Sequence, residues 1–183
     1  TFTIPLIFSG ILQLLFNAAD VIVVGRFAGS QSLAAVGSTT ALINLMINIF
    51  IGLSVGVNVI VARYYGAKRE KDVQDTIHTA MALSIVSGLF LIIVVQLLSR
   101  PMLELMGTPD DVIDKSTIYM RIIFIGMPAN MIYNFGSAIL RAVGDTKRPL
   151  YFLTAAGVIN VVLNLFFVIM FQMDVAGVAL ATA

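Results

Sequence analysis

Asp20 is the one acid set well inside an apolar run of this sequence. An ionised carboxylate there costs roughly 2.5 to 3.5 kcal/mol on insertion scales, so its place is against protein or water and not against lipid. Gln13, Asn17 and Asp20 follow i, i+4, i+7 spacing, which makes one polar stripe if the segment is helical. Asn130, Asn134, Ser137 and Arg141 form a second stripe, and Asn160 and Asn164 stand one helical turn apart. Each amide brings a carbonyl oxygen and an NH2 donor. Gathered around a carboxylate, such neutral oxygens suit a hard monovalent cation, and the carboxylate can instead take up a proton. Taken singly, an Asn in lipid acts as glue between helices worth about 0.6 kcal/mol. Asp20 alone also reads as an end-of-helix residue bonded near an interface. Convergence of several amides on one acid separates the two readings.

Other chemistry is thinly represented. The chain has no Cys, which excludes disulfides, thiolate metal sites and cysteine nucleophiles. His78, the only histidine, falls beside a basic loop and reads as an interfacial anchor. No histidine cluster, metal-ligand spacing, G-x-S-x-G elbow or pair of intramembrane carboxylates occurs, so no catalytic residues, no enzyme activity and no cofactor are expected. The methionines read as filler. Gly52 and Gly56 have the GxxxG spacing of close helix packing, and Gly88, Gly126, Gly136 and Gly157 also fall in apolar runs. Pro5 and Pro128 remove backbone hydrogen bonds near polar stripes, and Pro5, on the segment with the acid, is the candidate hinge.

The elements that must position these residues are membrane spans. Hydrophobic residues make up 59% of the chain and charged ones only 11%, with a mean hydropathy of +0.99. Charge-free runs cover residues 1–19, 27–62, 76–99, 122–140 and 150–173. Each is long enough for the roughly 17 to 25 residues of a bilayer crossing. The fold class expected is therefore an all-α, polytopic transmembrane helical bundle with helices over about 3–27, 32–65, 73–98, 109–143 and 149–173. A sixth begins at 175–183. Gly66 is the expected left-handed helix stop before the charged loop 67–72, and Pro101 is the expected end of the third helix region, followed by a short turn to Gly107. Thr108, Pro109 and two acids read as an N-cap, a first helical position and dipole partners for the fourth helix. Ser30 is the expected N-cap of the second. The chain lacks a starting Met and its last apolar segment stops short, which reads as a piece of a longer protein.

Orientation follows from the cations. Arg63, Lys68, Arg69 and Lys71 after the second span, and Arg141, Lys147 and Arg148 after the fourth, fall on one side, which the positive-inside rule makes cytoplasmic. The N-terminus is then cytoplasmic too. A net charge of +1 carries no sign of a nucleic-acid partner.

The sequence also resembles a known family. Pro5, FNAADVIVVGR at 16–26, LAAVG at 33–37, ARYYGAK at 62–68, LRAVGDTKRP at 140–149, NVVLN at 160–164 and VAGVALAT at 175–182 are similar, in that order, to segments of the multidrug and toxic compound extrusion (MATE) transporters. The resemblance implies a twelve-helix protein of two six-helix lobes in the plasma membrane, exchanging H+ or Na+ for cationic amphipathic small molecules. Residues 1–183 would be its N-terminal lobe, with the C-terminal lobe absent. In the bacterial DinF-like branch, the resemblance implies a cation-coupling site at Asp20, Asn160, Asn164 and Thr182, with Na+ as the metal held there, beside which Gln13, Asn17, Asn130 and Asn134, read from their spacing, stand as the supporting polar stripe. Position 164 departs from the pattern, since relatives carry an acid there. One formal charge in place of two tilts the balance toward protonation of Asp20 or a weaker cation site. Two alternatives stand beside efflux: a flippase of the same superfamily moving a lipid-linked precursor or oligosaccharide, and a non-transporting membrane scaffold.

Overall fold

The computed structural model describes residues 3–23, 25–26, 29–170 and 174–183. All its regular structure among these residues is helical. Seven α-helices follow one another: α1 (Thr3–Val23), α2 (Gly29–Gly66), α3 (Glu70–Leu105), α4 (Asp110–Ile125), α5 (Met127–Ala142), α6 (Lys147–Leu165) and α7 (Asp174–Thr182). A π-helical turn, Phe166–Met170, extends α6. Four helices are long and apolar enough to cross a membrane, and α4 with α5 makes a fifth crossing if the bent pair counts as one span. Counted so, α1, α3 and α6 cross in one sense and α2 and α4–α5 in the other. The expected Ser30 cap lies outside the described side chains, and residues 27–28 of the first turn and 171–173 at the end of the fifth span lie outside the described residues.

Two boundaries differ from the sequence expectation for identifiable reasons. The α3 helix runs through Pro101 to Leu105 instead of stopping near 98. The carbonyl that loses its donor belongs to Leu97, which is 72% exposed, while Leu103 beyond the proline is fully buried and holds the extra turn in place. Arg100 also bonds Glu104 across the proline at 3.2 Å. The fourth span is not one helix over 109–143. It bends by 50° between α4 and α5, at Gly126, because Pro128 cannot donate to the preceding turn.

Three helix ends share one device. Arg69 N donates to Tyr64 O at 3.0 Å, Thr108 N to Leu103 O at 3.1 Å and Asp145 N to Leu140 O at 2.8 Å. These are the wide bonds of Schellman stops, each closing over a residue with positive φ. Gly107 and Gly144 fill that role at φ 71° and 91°, but in the first stop the residue is Lys68 at φ 56°, not Gly66. The N-cap of α4 is Pro109, one residue later than Thr108. Asp145 Oδ1 opens α6 by accepting from Lys147 N and Arg148 N at 3.1 Å each.

The core lies among α2, α3, α4 and α5, where Val61, Leu91, Val95, Leu103, Met120, Phe124, Met131 and Phe135 are fully buried. The hydroxyls in this core mostly bond the carbonyls of their own helix, as Thr39 does with Ala35 at 2.9 Å and Thr117 with Ile113 at 2.8 Å. Glycines mark the closest approaches. A Cβ on Gly88 of α3 would meet the backbone of Pro128, and one on Gly126 would meet Ala183. Gly52, Gly56 and Gly136 have nothing within 4 Å, so the GxxxG spacing of α2 faces no neighbour among the described residues. The α7 helix packs on α4 and α6, whereas α1 packs on α6 with only 6% of its span buried.

Candidate functional site

Asn160 and Asn164 lie one turn apart on α6, and α7 returns beside them. Asn160 Nδ2 donates to Ala181 O at 3.2 Å and to Thr182 Oγ1 at 3.3 Å. Thr182 Oγ1 in turn donates to Val178 O at 2.9 Å. Asn164 Nδ2 donates to Asn160 Oδ1 at 3.2 Å, and its side chain is almost wholly buried. Three of the four residues implied as a coupling site are thus joined in one chain of hydrogen bonds spanning α6 and α7. Both amide hydrogens of Asn160 are spent on α7, and its oxygen is turned toward Asn164.

The side chain of Asp20 lies outside the described residues, but its backbone belongs to α1. The register of α1 on α6 is set one turn earlier. The Phe16 ring occupies the position that a Cβ on Gly157 would take. Since α1 and α6 cross in the same sense, Asp20 lies about 6 Å beyond that crossing and Asn160 about 4.5 Å beyond it, at 1.5 Å rise per residue. The acid's backbone and the amide cluster therefore sit at nearly one depth.

The remaining polar residues are not gathered there. Gln13 and Asn17 are exposed on α1. Asn134 Nδ2 bonds Asn130 O at 2.9 Å and Asn130 Oδ1 at 2.7 Å, so the hydrogen bonding of this pair stays within α5. Arg141 Nε bonds Ser137 O at 3.0 Å on the same helix. Pro5 stands in the first described turn of α1, and Ser9 Oγ donates to its carbonyl at 2.8 Å. Back-bonding of this kind bends helices.

Sequence reasoning missed several polar ties. Asn58 Nδ2 donates to Ala138 O at 2.6 Å and fastens α2 to α5, and Ser38 meets Ser116 at 3.1 Å between α2 and α4. Arg121 Nε donates to Ser99 Oγ at 3.1 Å, and Arg100 pairs with Asp114 at 3.2 Å near the α3–α4 connection. The first of these has a backbone carbonyl as its acceptor, which leaves no mark in a sequence, and the other three join side chains far apart along the chain.

Chemically, the α6–α7 cluster offers neutral oxygens: an amide carbonyl, a hydroxyl and the Ala181 carbonyl. Among the described residues no three His, Cys, Asp or Glu gather as ligands for a metal ion. A cation entering here must turn the Asn160 amide or displace the Asn164 donor, because hydrogen bonds already occupy those oxygens. Such a site answers to the charge beside it.

Comparison with known proteins extends these observations. A protein-family model described as MatE matches residues 5–166. The chain is 35% identical over 162 residues to a probable multidrug resistance protein, YoeA, of Bacillus subtilis, covering 88% of this chain and 35% of that protein. It is 31% identical to a second probable multidrug resistance protein of B. subtilis, YpnP, over 99% of this chain and 41% of the relative. Among solved structures, the outward-facing conformation of a multidrug resistance MATE family transporter of the MOP superfamily superposes with a TM-score of 0.92 at 28% identity. That match covers 99% of this chain and 40% of the other. The chain thus spans between about a third and two fifths of the length of these relatives.

Proposed function

This chain belongs to the MatE family of membrane transporters, and from that premise we propose that it forms the N-terminal lobe of a cation-coupled multidrug exporter. The transporter exports cationic amphipathic molecules across the plasma membrane in exchange for H+ or Na+. The observation that carries this reading is the hydrogen-bonded set Asn160, Asn164 and Thr182 at the depth of Asp20 on the neighbouring helix. Family membership supports transport as the function, and the shared depth of the Asp20 backbone and the α6–α7 amides supports a site where one acid works with neutral oxygens.

Asp20 works as the charge that changes. Ionised, it draws a cation toward the Asn160 and Thr182 oxygens. Protonated, it removes the attraction, and α1, the least embedded span, is free to repack about the Pro5–Ser9 turn. Coupling arises because drug and cation favour different positions of α1, and an ion shifts that balance only through its differential affinity.

The test uses the full-length protein reconstituted in vesicles with an imposed H+ or Na+ gradient. Asp20→Asn is expected to keep insertion and abolish ion-driven efflux of a cationic dye. Undiminished efflux sinks the reading. Asn160→Ala is expected to raise the cation concentration needed for half-maximal efflux, because it removes a ligand oxygen together with the amide donor that ties α6 to α7.

A further inference from the structure

Among the described residues, the α1 helix packs chiefly on α6. Only 6% of its span is buried. Within that contact one fit stands out: Phe16 of α1 enters the space that any side chain at position 157 would need, and its Cδ2, Cε2 and Cζ atoms all lie inside contact distance of an added Cβ. Gly157 itself is buried. A rigid ring seated in a glycine notch is a knob in a hole, and it fixes both how far α1 slides along α6 and how closely it approaches.

The residues one turn further along each helix are those of the candidate site. Asp20 follows Phe16 by four residues, and Asn160 follows Gly157 by three. Any shift at the notch is carried to both within a single rigid turn. We propose that Gly157 is a positioning residue for ion coupling: its missing side chain admits Phe16, and that fit sets the depth and distance at which Asp20 meets Asn160, Asn164 and Thr182. This rests on the reading of Asp20 as the coupling acid. Gly157 touches neither ion nor drug and acts only through Phe16.

Added bulk has two outcomes, and both misplace the acid. Either the ring stays and α1 moves outward by a substantial part of a carbon diameter, or the ring swings out of the notch and α1 loses the contact that fixes its register. Charge and ligand oxygens must be held to about 0.5 Å for a site to work. A displacement of this size is therefore read as a change in ion dependence and not merely as lost protein.

The experiment measures ion-driven dye efflux by the full-length transporter in vesicles over a range of Na+ concentration and pH, beside its thermal unfolding without substrate. Gly157→Ala is expected to raise the half-activating cation concentration, or to shift the pH midpoint to a corresponding degree, by about tenfold or more, as expected for ångström-scale misplacement. Phe16→Leu placed in the Gly157→Ala background is expected to return the ion profile toward that of the parent, because a smaller knob fits the shallower hole. Phe16→Ala alone keeps the notch open, so it serves where Gly157→Ala fails to accumulate, and the same shift in ion profile is expected of it. A parental ion profile for Gly157→Ala, or for Phe16→Ala in its place, overturns the proposal. So does a double variant no closer to the parent than Gly157→Ala. Asp20→Asn, run in parallel, separates the two levels: loss of coupling there with a parental profile in the notch variants defeats the positioning role alone, whereas retained coupling in Asp20→Asn defeats the underlying reading and this proposal with it.

Discussion

At position 164 an amide hydrogen now lies between two side-chain groups, donated from Nδ2 to Asn160 Oδ1 at 3.2 Å. Asn164→Asp removes that donor and sets carboxylate oxygen against carbonyl oxygen, a repulsion that a bound cation or a proton relieves. The variant is expected to show stronger Na+ dependence of transport, or a pH optimum displaced upward, and profiles that superimpose on the parent would mean that position 164 has no share in the ion site. Lys68 offers a second test of residue chemistry. A β-carbon at φ 56° costs roughly 1 to 2 kcal/mol relative to the right-handed region, so Lys68→Gly is expected to stabilise the α2–α3 connection by about 1 kcal/mol in thermal or denaturant unfolding. The pairing of Asn160 with Asn164 was legible from their one-turn spacing, whereas Thr182 was named only through the family resemblance. Backbone acceptors were not legible. Ala181 O, which anchors Asn160, is a backbone atom of an alanine, and the left-handed residue of the first stop is fixed by hydrogen bonding and not by which residue is glycine.

Among the elements, the bent fourth span is the clearest case of geometry that composition conceals. Its apolar pattern runs unbroken across Gly126, so the sequence shows a single crossing of about 35 residues, and Pro128 marks only that a bond is missing. The bend becomes useful because Gly88 of α3 lets the backbone around Pro128 come close. Backbone cannot yield as a side chain can, so Gly88→Ala is expected to cost about 1 to 3 kcal/mol, as overpacked sites do. Gly52→Ala, at a helical glycine with nothing within 4 Å, is expected to cost nothing and to stabilise by up to about 1 kcal/mol through helix propensity. Comparable losses for both would show that α2 and α3 are packed otherwise. Pro101 teaches the converse lesson, since a residue that usually ends helices is carried inside α3 where a buried Leu103 rewards the extra turn. Span number and approximate extent were legible from charge-free length, whereas ends and bends depended on contacts between helices distant in sequence.

For the whole molecule, orientation is the property most open to direct test. With the N-terminus and the loops around Lys68 and Lys147 expected in the cytoplasm, single cysteines introduced into this cysteine-free chain at 68 and 147 should resist an impermeant external thiol reagent, while those at 29 and 110 should react. The opposite pattern would invert the topology. One feature of the architecture also bears on how the protein is made. The first span leans on α6, and about 120 residues separate Val23 from Lys147. At about 5 to 20 residues per second, a ribosome needs on the order of 6 to 25 s to deliver that partner after α1 is complete. Throughout this interval a helix carrying Gln13, Asn17 and Asp20 must wait in or beside the bilayer without the surface it is shaped to meet. Its insertion is therefore expected to be a vulnerable step of biogenesis, in which α1 depends on shelter from outside the finished fold until the fifth span arrives.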